Sequence, residues 1–296
     1  MKIIVTGSLG HISKPLTEKL LAKGHAVTVV SSNPDKKKEI ETLGAKAAIG
    51  TLADVDFLTD TFTGADAVYT LVPPNYAAPD MMAYCRETGE NFAEAIEKSG
   101  VKRVVHLSSI GAHMEKGSGL ILAHRQVEDI FEKELPDVAI TYMRPSGFYY
   151  NLLGFIPGIK AAGVIVANYG ADDMLIWVAP VDIASAVAEE LETPATGHKV
   201  RYVASDELTG NETARILGEA IGKPDLKWVL VSDEERQQQL ESFGLSTAMA
   251  HGLVEMFSAQ HNGTLAEDFY RHWPKVMGKV KMADYAKEFA TIYHQK

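Results

Sequence analysis

A glycine-rich turn near the beginning of the chain has the residue types and spacing of a phosphate-binding segment. It runs from Gly7 through Gly10 to Ser13, between an apolar segment over residues 3–6 and a helix pattern over residues 14–23. Glycines let the backbone turn tightly and come close to a pyrophosphate. The unpaired N–H groups of a helix N-terminus attract the negative charge of a phosphate. The residues predicted to bind the phosphates of a dinucleotide are Gly7, Ser8, Gly10, His11 and Ile12.

The spacing of this turn differs from the usual dinucleotide-binding pattern. It reads G-x-x-G-x-x-S, with Ser13 in place of the last glycine of G-x-G-x-x-G. That glycine normally permits close packing of the helix on the strand, and serine is small enough to take its place. An ordinary strand–helix turn that binds no ligand is the alternative interpretation.

The predicted second strand, over residues 25–30, ends in residues that bear on the choice of nucleotide. An Asp or Glu there would hydrogen-bond a ribose 2′-hydroxyl and favour NAD, whereas this chain has Ser31, Ser32 and Asn33. These neutral donors, with Lys36 close behind them, can hold a 2′-phosphate. We therefore expect NADP(H) to be preferred, with NAD(H) as the alternative. The lysines here can equally form a solvated cluster on a helix face.

The ends of two later strands supply the other residues predicted to line the nucleotide site. In an open parallel sheet, ligands bind at the carboxyl ends of the strands. The predicted fourth and fifth strands, over residues 65–72 and 101–108, end at the same edge as the glycine turn. The residues expected there are Leu71, Val72, Pro73, Ser108 and Ser109.

Residues for proton transfer are less clearly marked. A tyrosine followed four residues later by a lysine, which lowers the tyrosine pKa, is one source of a proton; none of the 11 tyrosines has that neighbour. His124, in the predicted helix over residues 120–135, can orient a substrate or pass a proton, or it can be a structural histidine. Tyr149 follows the sixth strand and is predicted to face the substrate, with aromatic core filling as the alternative.

Other kinds of site are not indicated by the sequence. The 10 histidines include no His-x-x-x-His pair, and the single cysteine, Cys85, lies within a predicted helix, where it suits a small core side chain. Neither a Gly-x-Ser-x-Gly elbow nor a Walker A motif occurs. We therefore predict no metal site and no covalent nucleophile.

Strands and helices alternate over the first half of the chain, which predicts a parallel sheet with helices on both faces. The expected fold class is α/β, with a doubly wound Rossmann domain over residues 1–150 and a strand and helix returning near residues 181–204. A smaller, mostly helical C-terminal lobe over residues 151–296 is expected to supply the substrate pocket and not to fold independently.

Two local structures are predicted within this lobe. Residues 163–167 and 174–178 are expected to pair with each other as short strands. The segment over residues 151–162 is expected to be helical, with an interruption near Pro157 and Gly158.

Composition limits the setting and the partners of the protein. The 296 residues carry a net charge of −10, from 29 basic and 39 acidic residues, which argues against a nucleic-acid-binding surface. One cysteine fits a reducing compartment, and no signal peptide or apolar run of membrane-spanning length is visible. We expect a cytoplasmic protein with a small-molecule substrate; a homodimer or a protein partner is left open.

Taken in order, these motifs resemble the NmrA-like family, an atypical branch of the short-chain dehydrogenases that includes an NAD(P)H:quinone oxidoreductase type. The resemblance covers roughly residues 1–220, in the order and spacing of its pieces. The matching pieces lie at residues 5–12, 33–34, 100–109, 124–128, 141–148, 151–152, 163–165 and 181–184.

The resemblance implies a Rossmann domain that binds NADP(H) or NAD(H), and it implies two roles. Some members reduce quinones or other small compounds, whereas others sense the cofactor and regulate a protein partner without turnover. Members often lack the tyrosine–lysine pair, and His124 falls where the family commonly has lysine or histidine. Ser32 stands where the family usually has an arginine on the 2′-phosphate, so NAD is left open. Sugar-nucleotide epimerase chemistry is the weakest alternative, because it depends on the missing pair.

Overall fold

The alternation of strands and helices predicted from the sequence is present in the structure. A computed structural model describes residues 1–75, 78, 80–274 and 276–295, so Lys275 and Lys296 of the predicted C-terminal lobe lie outside the described residues. The described strands are β1 (Lys2–Val5), β2 (Ala26–Ser31), β3 (Lys46–Ile49), β4 (Ala67–Leu71), β5 (Arg103–Leu107), β6 (Ala139–Pro145), β7 (Gly147–Phe148), β8 (Val164–Ala167), β9 (Met174–Val178), β10 (His198–Val203), β11 (Asp206–Thr209) and β12 (Lys227–Leu230).

Helices connect most of these strands. The described α-helices are α1 (Ser13–Ala22), α2 (Lys36–Thr42), α3 (Val55–Phe62), α4 (Met81–Ser99), α5 (Leu122–Glu134), α6 (Ile156–Ala162), α7 (Pro180–Glu192), α8 (Gly210–Ala220), α9 (Asp233–Ser242), α10 (Thr247–His261), α11 (Glu267–Arg271) and α12 (Met282–His294). Short 3₁₀ helices cover Gly119–Ile121, Tyr149–Phe155 and Thr264–Ala266. In the described part of the chain, no helix has both the length and the apolar character needed to cross a bilayer.

Seven strands form the main sheet, in the order β10-β6-β5-β4-β1-β2-β3. All pairings from β6 across to β3 are parallel. The chain first adds β2 and β3 on one side of β1 and then crosses over to place β4 on the other side. The strand order therefore reverses between β1 and β4, where sheets of this kind bind ligands. The predicted doubly wound parallel sheet is confirmed.

Apolar side chains bury both faces of this sheet, as expected for parallel strands covered by helices. Ile3 of β1 and Val104 and Val105 of β5 are completely buried. On one face, the rings of Phe62 in α3 and Phe92 in α4 stack with their centroids 6.5 Å apart. This core fixes the positions of the strand ends that form the candidate site.

Residue contacts divide the chain into two units, each made of several segments. Unit 1 consists of residues 1–109, 123–144 and 183–201, and unit 2 consists of residues 110–122, 145–182 and 202–296. Unit 1 contains the glycine turn and the strand ends that follow it, and unit 2 contains most of the C-terminal half. The division at residue 150 remains a prediction from the sequence.

A buried ion pair fastens the last segment of unit 1. The guanidinium of Arg103 in β5 donates to the backbone oxygen of Glu190 at 2.6 Å and to its carboxylate at 3.1 Å. It also donates to Thr141 Oγ1 at 2.9 Å, and Lys199 and Arg201 pair with the same carboxylate. Because a buried charge is costly unless it is paired, these contacts fix α7 beside β5 and β6.

Unit 2 contains two small sheets, and their pairing differs from the prediction. The strand β8 pairs in parallel with β12, whereas β9 pairs antiparallel with β11 and parallel with β7. The predicted pairing of residues 163–167 with residues 174–178 is therefore wrong. The reason lies at Trp228 of β12, whose Nε1 donates to Tyr169 O at 2.5 Å and whose ring covers Gly170 so closely that a Cβ there would collide. This tryptophan holds β12 beside β8.

The predicted helix over residues 151–162 also differs in its first part. A 3₁₀ helix covers Tyr149–Phe155, and α6 begins at Ile156. Pro157 lies in the first turn of α6, where a missing N–H removes no hydrogen bond. The proline therefore starts a helix here, and the expected interruption at residues 157–158 is wrong.

Phe92 and Phe243, two phenylalanines of very different exposure, offer a matched test of core packing. Phe92 is completely buried, whereas Phe243 is 70% exposed. Phe92→Ala should lower the free energy of unfolding by about 3–5 kcal/mol, through lost burial and the cavity left behind. Phe243→Ala should change it by less than about 0.5 kcal/mol. Urea unfolding of both variants measures the difference; equal losses would contradict this description of the core.

Candidate functional site

The glycine turn lies at the point where the strand order reverses, and Thr6 joins the neighbouring strands there. The Thr6 N–H donates to Tyr69 O at 3.1 Å, and the Thr6 hydroxyl accepts from the Leu71 N–H at 3.1 Å. On the other side of β1, the Ser8 N–H donates to Val30 O at 3.0 Å. The turn is therefore tied to β4 and to β2 at once, which fixes its position at the carboxyl edge of the sheet.

The local geometry explains which positions of the turn need glycine. Gly7 has φ +87°, and a Cβ there would lie 2.6 Å from Leu71 Cδ2 and 2.7 Å from Ser13 Oγ. A Cβ on Gly10 would meet only Gly7 O, at 3.2 Å, so Gly10 presents an open face. Ser13 replaces the expected third glycine because its buried hydroxyl donates to Thr6 O at 2.8 Å, filling the space between helix and strand.

The start of α1 suits an anionic ligand. The N-terminus of a helix is the positive end of its dipole, which attracts an anion. In α1 the Lys14 N–H already donates to Gly10 O and Pro15 has no N–H, so this attraction comes mainly from the dipole. The first turn of α1 contains no acidic residue. An open glycine next to such a helix start fits a pyrophosphate, so the residues present fit a dinucleotide.

The end of β2 separates the predicted nucleotide contacts into two groups. Ser31 is 3% exposed, and its hydroxyl accepts from Ser8 Oγ at 2.9 Å and from the Asn33 N–H at 3.2 Å. This hydroxyl therefore braces the glycine turn against the segment after β2. Ser32 and Asn33 are exposed, so their side chains are the ones available to a ligand at this edge.

Two lysines are held together at the same edge by one carboxylate. Lys36 Nζ lies 2.8 Å from Glu39 Oε2, and Lys14 Nζ lies 3.6 Å from Glu39 Oε1. The hydrogen bond from Lys36 is the largest cause that lowers the pKa of the Glu39 carboxyl below its ordinary value. Lys14 belongs to α1, and its N–H donates to Gly10 O. Glu39 thus links the helix after the glycine turn to the helix after β2.

The ends of β4 and β5 lie side by side, with Leu71 paired to Leu107 in the parallel register. Val72 and Pro73, which follow β4, are half-buried. Ser108, which follows β5, is buried, and its hydroxyl donates to Glu128 Oε1 at 2.5 Å. These residues form a largely apolar edge with one fixed hydroxyl, and Ser109 follows at the same edge and is half-buried. Their contact with the nicotinamide half of a cofactor stays a prediction.

A buried ion pair lies behind Ser108. Glu128 in α5 is completely buried, and the guanidinium of Arg144 in β6 donates to it through Nε at 3.0 Å and through an Nη at 2.5 Å. The two-point contact neutralises the carboxylate and leaves it able to accept from Ser108 as well. Glu128 and Arg144 therefore hold the Ser108 hydroxyl in one orientation.

His124 lies in the first turn of α5, in a partly buried environment that keeps its ring neutral. Burial lowers the pKa of His124 to about 4. Burial also lowers the pKa of His106 to about 3, and the neighbouring His124 is the smaller cause of that shift. His106 Nδ1 lies 2.9 Å from Thr70 Oγ1, and its ring packs edge-on against Phe131 at 5.0 Å. At neutral pH, His124 can therefore donate or accept a hydrogen bond but carries no charge.

Tyr149 lies in unit 2, whereas His124 lies in unit 1. Tyr149 is 1% exposed, its hydroxyl donates to Val280 O at 3.1 Å, and its ring stacks on Tyr285 at 5.2 Å. Burial, with Asp206 nearby as a smaller cause, raises the pKa of the Tyr149 hydroxyl well above its usual value. The role predicted for Tyr149 toward the substrate stays a prediction.

Sequence reasoning missed several residues that the structure places at this site. Lys14 and Glu39 lie on different helices, and only the chain fold brings their charges together. Arg144 could have been suspected, because it is a charged residue within the predominantly apolar β6 and such residues are seldom buried unpaired. Glu128 stands among other charged residues of α5, so its sequence neighbours gave no signal of burial. Across the described residues, no group of three or more His, Cys, Asp or Glu side chains could hold a metal ion.

The strand order and the glycine turn at its reversal define a dinucleotide-binding protein of the Rossmann type. Residues 7–156 match the family model described as NAD(P)H-binding. The chain belongs to this NAD(P)H-binding family, which confirms the cofactor class predicted from the sequence.

Three proteins to which the chain is similar are reductases or oxidoreductases by name, and a nucleoside-diphosphate-sugar epimerase of Staphylococcus aureus also has a similar structure, with a TM-score of 0.78, 17% identity and coverage of 97% and 100%. The chain is 30% identical over 227 residues to a (4-alkanoyl-5-oxo-2,5-dihydrofuran-3-yl)methyl phosphate reductase of Streptomyces griseus, covering 75% of this chain and 74% of that protein. It is 24% identical over 298 residues to an NAD(P)H azoreductase of Xenophilus azovorans, covering 98% and 99%. An NADPH-dependent quinone oxidoreductase of Escherichia coli, crystallised with NADPH, has a similar structure with a TM-score of 0.82, 20% identity and coverage of 97% and 99%.

The lowered pKa values of His106 and His124 predict a pH dependence of stability. The unfolded chain takes up protons on these rings near pH 6.5, whereas the folded chain does so only near pH 3 and pH 4. Stability should therefore be full above pH 6.5 and fall between pH 6.5 and 5, above the titration range of ordinary carboxyl groups. Each histidine contributes up to about 1.4 kcal/mol per pH unit.

Urea unfolding across this pH range measures the slope. His124→Asn should reduce the slope, because asparagine takes up no proton in either state. His251→Asn serves as the control, since the His251 side chain is exposed to water in the folded chain. A slope that His124→Asn leaves unchanged would contradict the burial of His124.

Proposed function

We propose that the chain is an NAD(P)H-dependent oxidoreductase that reduces a small quinone-like or carbonyl compound by hydride transfer. The observation that carries the proposal is the open glycine turn at the strand reversal, next to the mainly apolar edge formed by Leu71, Val72 and Pro73. When bound, the cofactor supplies the hydride. The glycine turn holds its phosphates, and the apolar edge keeps water from the nicotinamide half.

The available proton donors favour a particular class of acceptor. His124 is neutral at pH 7, and the Tyr149 hydroxyl already donates to Val280 O. No tyrosine has a lysine four residues later in the sequence. A quinone-like compound can accept hydride and then take its proton from water, so it needs no strong acid from the protein. His124 then orients the acceptor through a hydrogen bond.

The names of the relatives support reduction of small conjugated compounds. Reduction of a dihydrofuranyl phosphate, of an azo compound and of a quinone is indicated by the names of three similar proteins. The shared chemistry is delivery of hydride to an electron-poor conjugated system. We extend that class of acceptor to this chain.

The basic edge beside β2 supports NADP(H) as the preferred cofactor, with NAD(H) as the alternative. Lys14 and Lys36 are held at this edge by Glu39, close to the exposed Ser32 and Asn33. Two ammonium groups can bind a 2′-phosphate in place of the arginine that the resemblance to the NmrA-like family implies at the position of Ser32. Glu39 keeps both lysines near the place where the adenosine ribose lies in folds of this type.

Removal of either lysine should weaken binding of NADPH alone. Lys14→Met and Lys36→Met should each raise the Kd for NADPH roughly 5- to 20-fold, the loss expected for one charge-assisted contact. The Kd for NADH should change less than about twofold, since NADH has no 2′-phosphate. Lys37→Met, on the exposed face of the same helix α2, is the control. Calorimetric titration of the wild-type protein and the three variants measures the Kd values. Equal losses of affinity for NADPH and NADH would contradict the assignment of Lys14 and Lys36 to the 2′-phosphate.

Replacement of His124 should affect turnover more than cofactor binding. His124→Ala should lower kcat for quinone reduction about tenfold or more, through loss of a hydrogen bond to the acceptor, and leave the Kd for NADPH nearly unchanged. His25→Ala is the control, because His25 lies just before β2, at the opposite edge of the sheet, and pairs with Glu192. An unchanged rate would remove His124 from the mechanism.

A cofactor-sensing regulator without turnover is the second candidate. The observation that favours it is a group of exposed apolar side chains in unit 2: Tyr270 and Trp273, whose rings stack at 5.8 Å, and Val276, which is 83% exposed. Such a group suits a protein partner. Tight NADPH binding with no turnover on quinones, aldehydes or azo compounds would favour this candidate over the reductase.

The cysteine content and the charge of the chain bear on its cellular location and its partners. We place the protein in the cytoplasm, because a single cysteine fits a reducing compartment. The net charge of −10 argues against nucleic acid as a partner. A homodimer or a complex with a protein partner is compatible with the exposed apolar group in unit 2.

A further inference from the structure

The loop between β5 and α5 is held in unit 2 by close contacts at its glycines. A Cβ on Gly119 would overlap Gly252 O and lie 2.8 Å from Met256 N, both in the backbone of α10. A Cβ on Gly252 would lie 2.6 Å from Leu120 Cδ2 and 3.2 Å from Leu120 Cγ. The last residues of the loop therefore rest directly on the backbone of α10.

A second contact holds the beginning of the same loop. Gly111 has φ +83°, and a Cβ there would overlap Leu265 Cδ1 and lie 3.1 Å from Leu265 Cγ. Ile110, Met114 and Ile121 pack in one apolar cluster with Leu265 and its neighbours. Both ends of the loop are thus attached to the segment that runs from α10 to α11.

The glycine in the middle of α10 needs an explanation, because glycine weakens a helix interior relative to alanine. Gly252 lies well inside the range Thr247–His261. The close approach of Leu120 supplies the reason: a Cβ at this position would force the Leu120 side chain to shift, and Gly252 O lies where a Cβ on Gly119 would stand. Gly252 is therefore a packing position, matched to Gly119 on the loop.

The loop leads straight into the helix that carries His124. Leu120 belongs to the 3₁₀ helix Gly119–Ile121, and α5 begins at the next residue, Leu122. His124 is the third residue of α5, whose first backbone N–H groups donate to Gly119 O and Leu120 O of that 3₁₀ helix. The backbone at Gly119 and Leu120 is therefore continuous, through hydrogen bonds, with the first turn of α5.

We infer that α10 positions His124 by holding the β5–α5 loop, with Gly252 as the positioning residue. The kinetic consequence of this inference rests on the proposed function, in which His124 orients the acceptor. The structural consequence is independent of the proposed function. The first turn of α5 should lose protection against backbone hydrogen exchange whenever the contact between Gly252 and Leu120 is disturbed.

The test compares Gly252→Ala and Gly119→Ala with the wild-type protein by hydrogen exchange and by steady-state kinetics with NADPH and a quinone. Exchange over residues 119–126 should accelerate about tenfold or more, most in Gly119→Ala because its Cβ meets backbone and its φ is +53°. The kcat should fall about tenfold, while the KM for NADPH stays within about twofold, because the glycine turn is untouched.

Two further variants separate this effect from general loss of stability. Gly154→Ala is the matched control, since a Cβ there would meet nothing within 4 Å and Gly154 also lies in a 3₁₀ helix of unit 2. It should leave both exchange and kcat unchanged. The double variant Leu120→Ala with Gly252→Ala removes the collision and should recover exchange protection and kcat relative to Gly252→Ala alone. Should Gly252→Ala fail to fold, this double variant and Leu120→Ala alone provide the comparison.

The exchange and kinetic results distinguish failure of this inference from failure of the proposed function. Unchanged exchange over residues 119–126 in both glycine variants would overturn it. Faster exchange with an unchanged kcat would also overturn it if His124→Ala lowers kcat; if His124→Ala leaves kcat unchanged as well, the role of His124 in the proposed function fails instead. Uniformly faster exchange throughout unit 2 without rescue by Leu120→Ala would show general destabilisation and also overturn it. If the wild-type protein binds NADPH but has no reductase activity, the proposed function fails, and the exchange comparison alone decides whether α10 holds the start of α5.

Discussion

The candidate site depends on one residue at the strand reversal, Thr6. Its N–H and hydroxyl both bond to β4, and the next residues bond to β2. A parallel sheet has no ladder bonds beyond its strand ends, so a turn leaving β1 would otherwise be free to move. Because Thr6 fixes it, Gly7 can pack against Leu71, and Gly10 can keep an open face toward a ligand. Ser13 completes the same arrangement by donating back to Thr6 O.

Buried charge supports the other half of the site. Glu128 and Arg144 are both almost fully buried, and either one alone would be strongly destabilising in that position. Their pairing fixes a carboxylate directly behind Ser108. Arg103 and Glu190 form a second buried ion pair in unit 1, which attaches a later segment of the chain. Two buried ion pairs thus set the positions of α5 and α7 around the strands that end at the site.

Local signals in the sequence were sufficient to predict the sheet and the position of the glycine turn. Strands such as β1 and β5 each contain a run of buried apolar residues, and Gly7 and Gly10 stand between a strand and a helix, so the apolar runs and the glycine spacing identify them. The pairing of β8 with β12 could not be predicted in this way, because it depends on Trp228 covering Gly170 across about 60 residues of sequence. The same holds for Lys14, Glu39 and Lys36, whose association depends on how α1 and α2 pack. Pro157 was misjudged because proline ends some helices and starts others.

The interleaved order of the two units has a consequence for biosynthesis. Unit 1 includes residues 183–201, so its last strand and its buried Arg103–Glu190 pair cannot form until about two thirds of the chain has left the ribosome. Unit 2 begins with residues 110–122, which must wait for α10 and Leu265 to be synthesised. Contacts so distant in sequence slow folding. Neither unit can therefore be produced by truncating the gene at a single point.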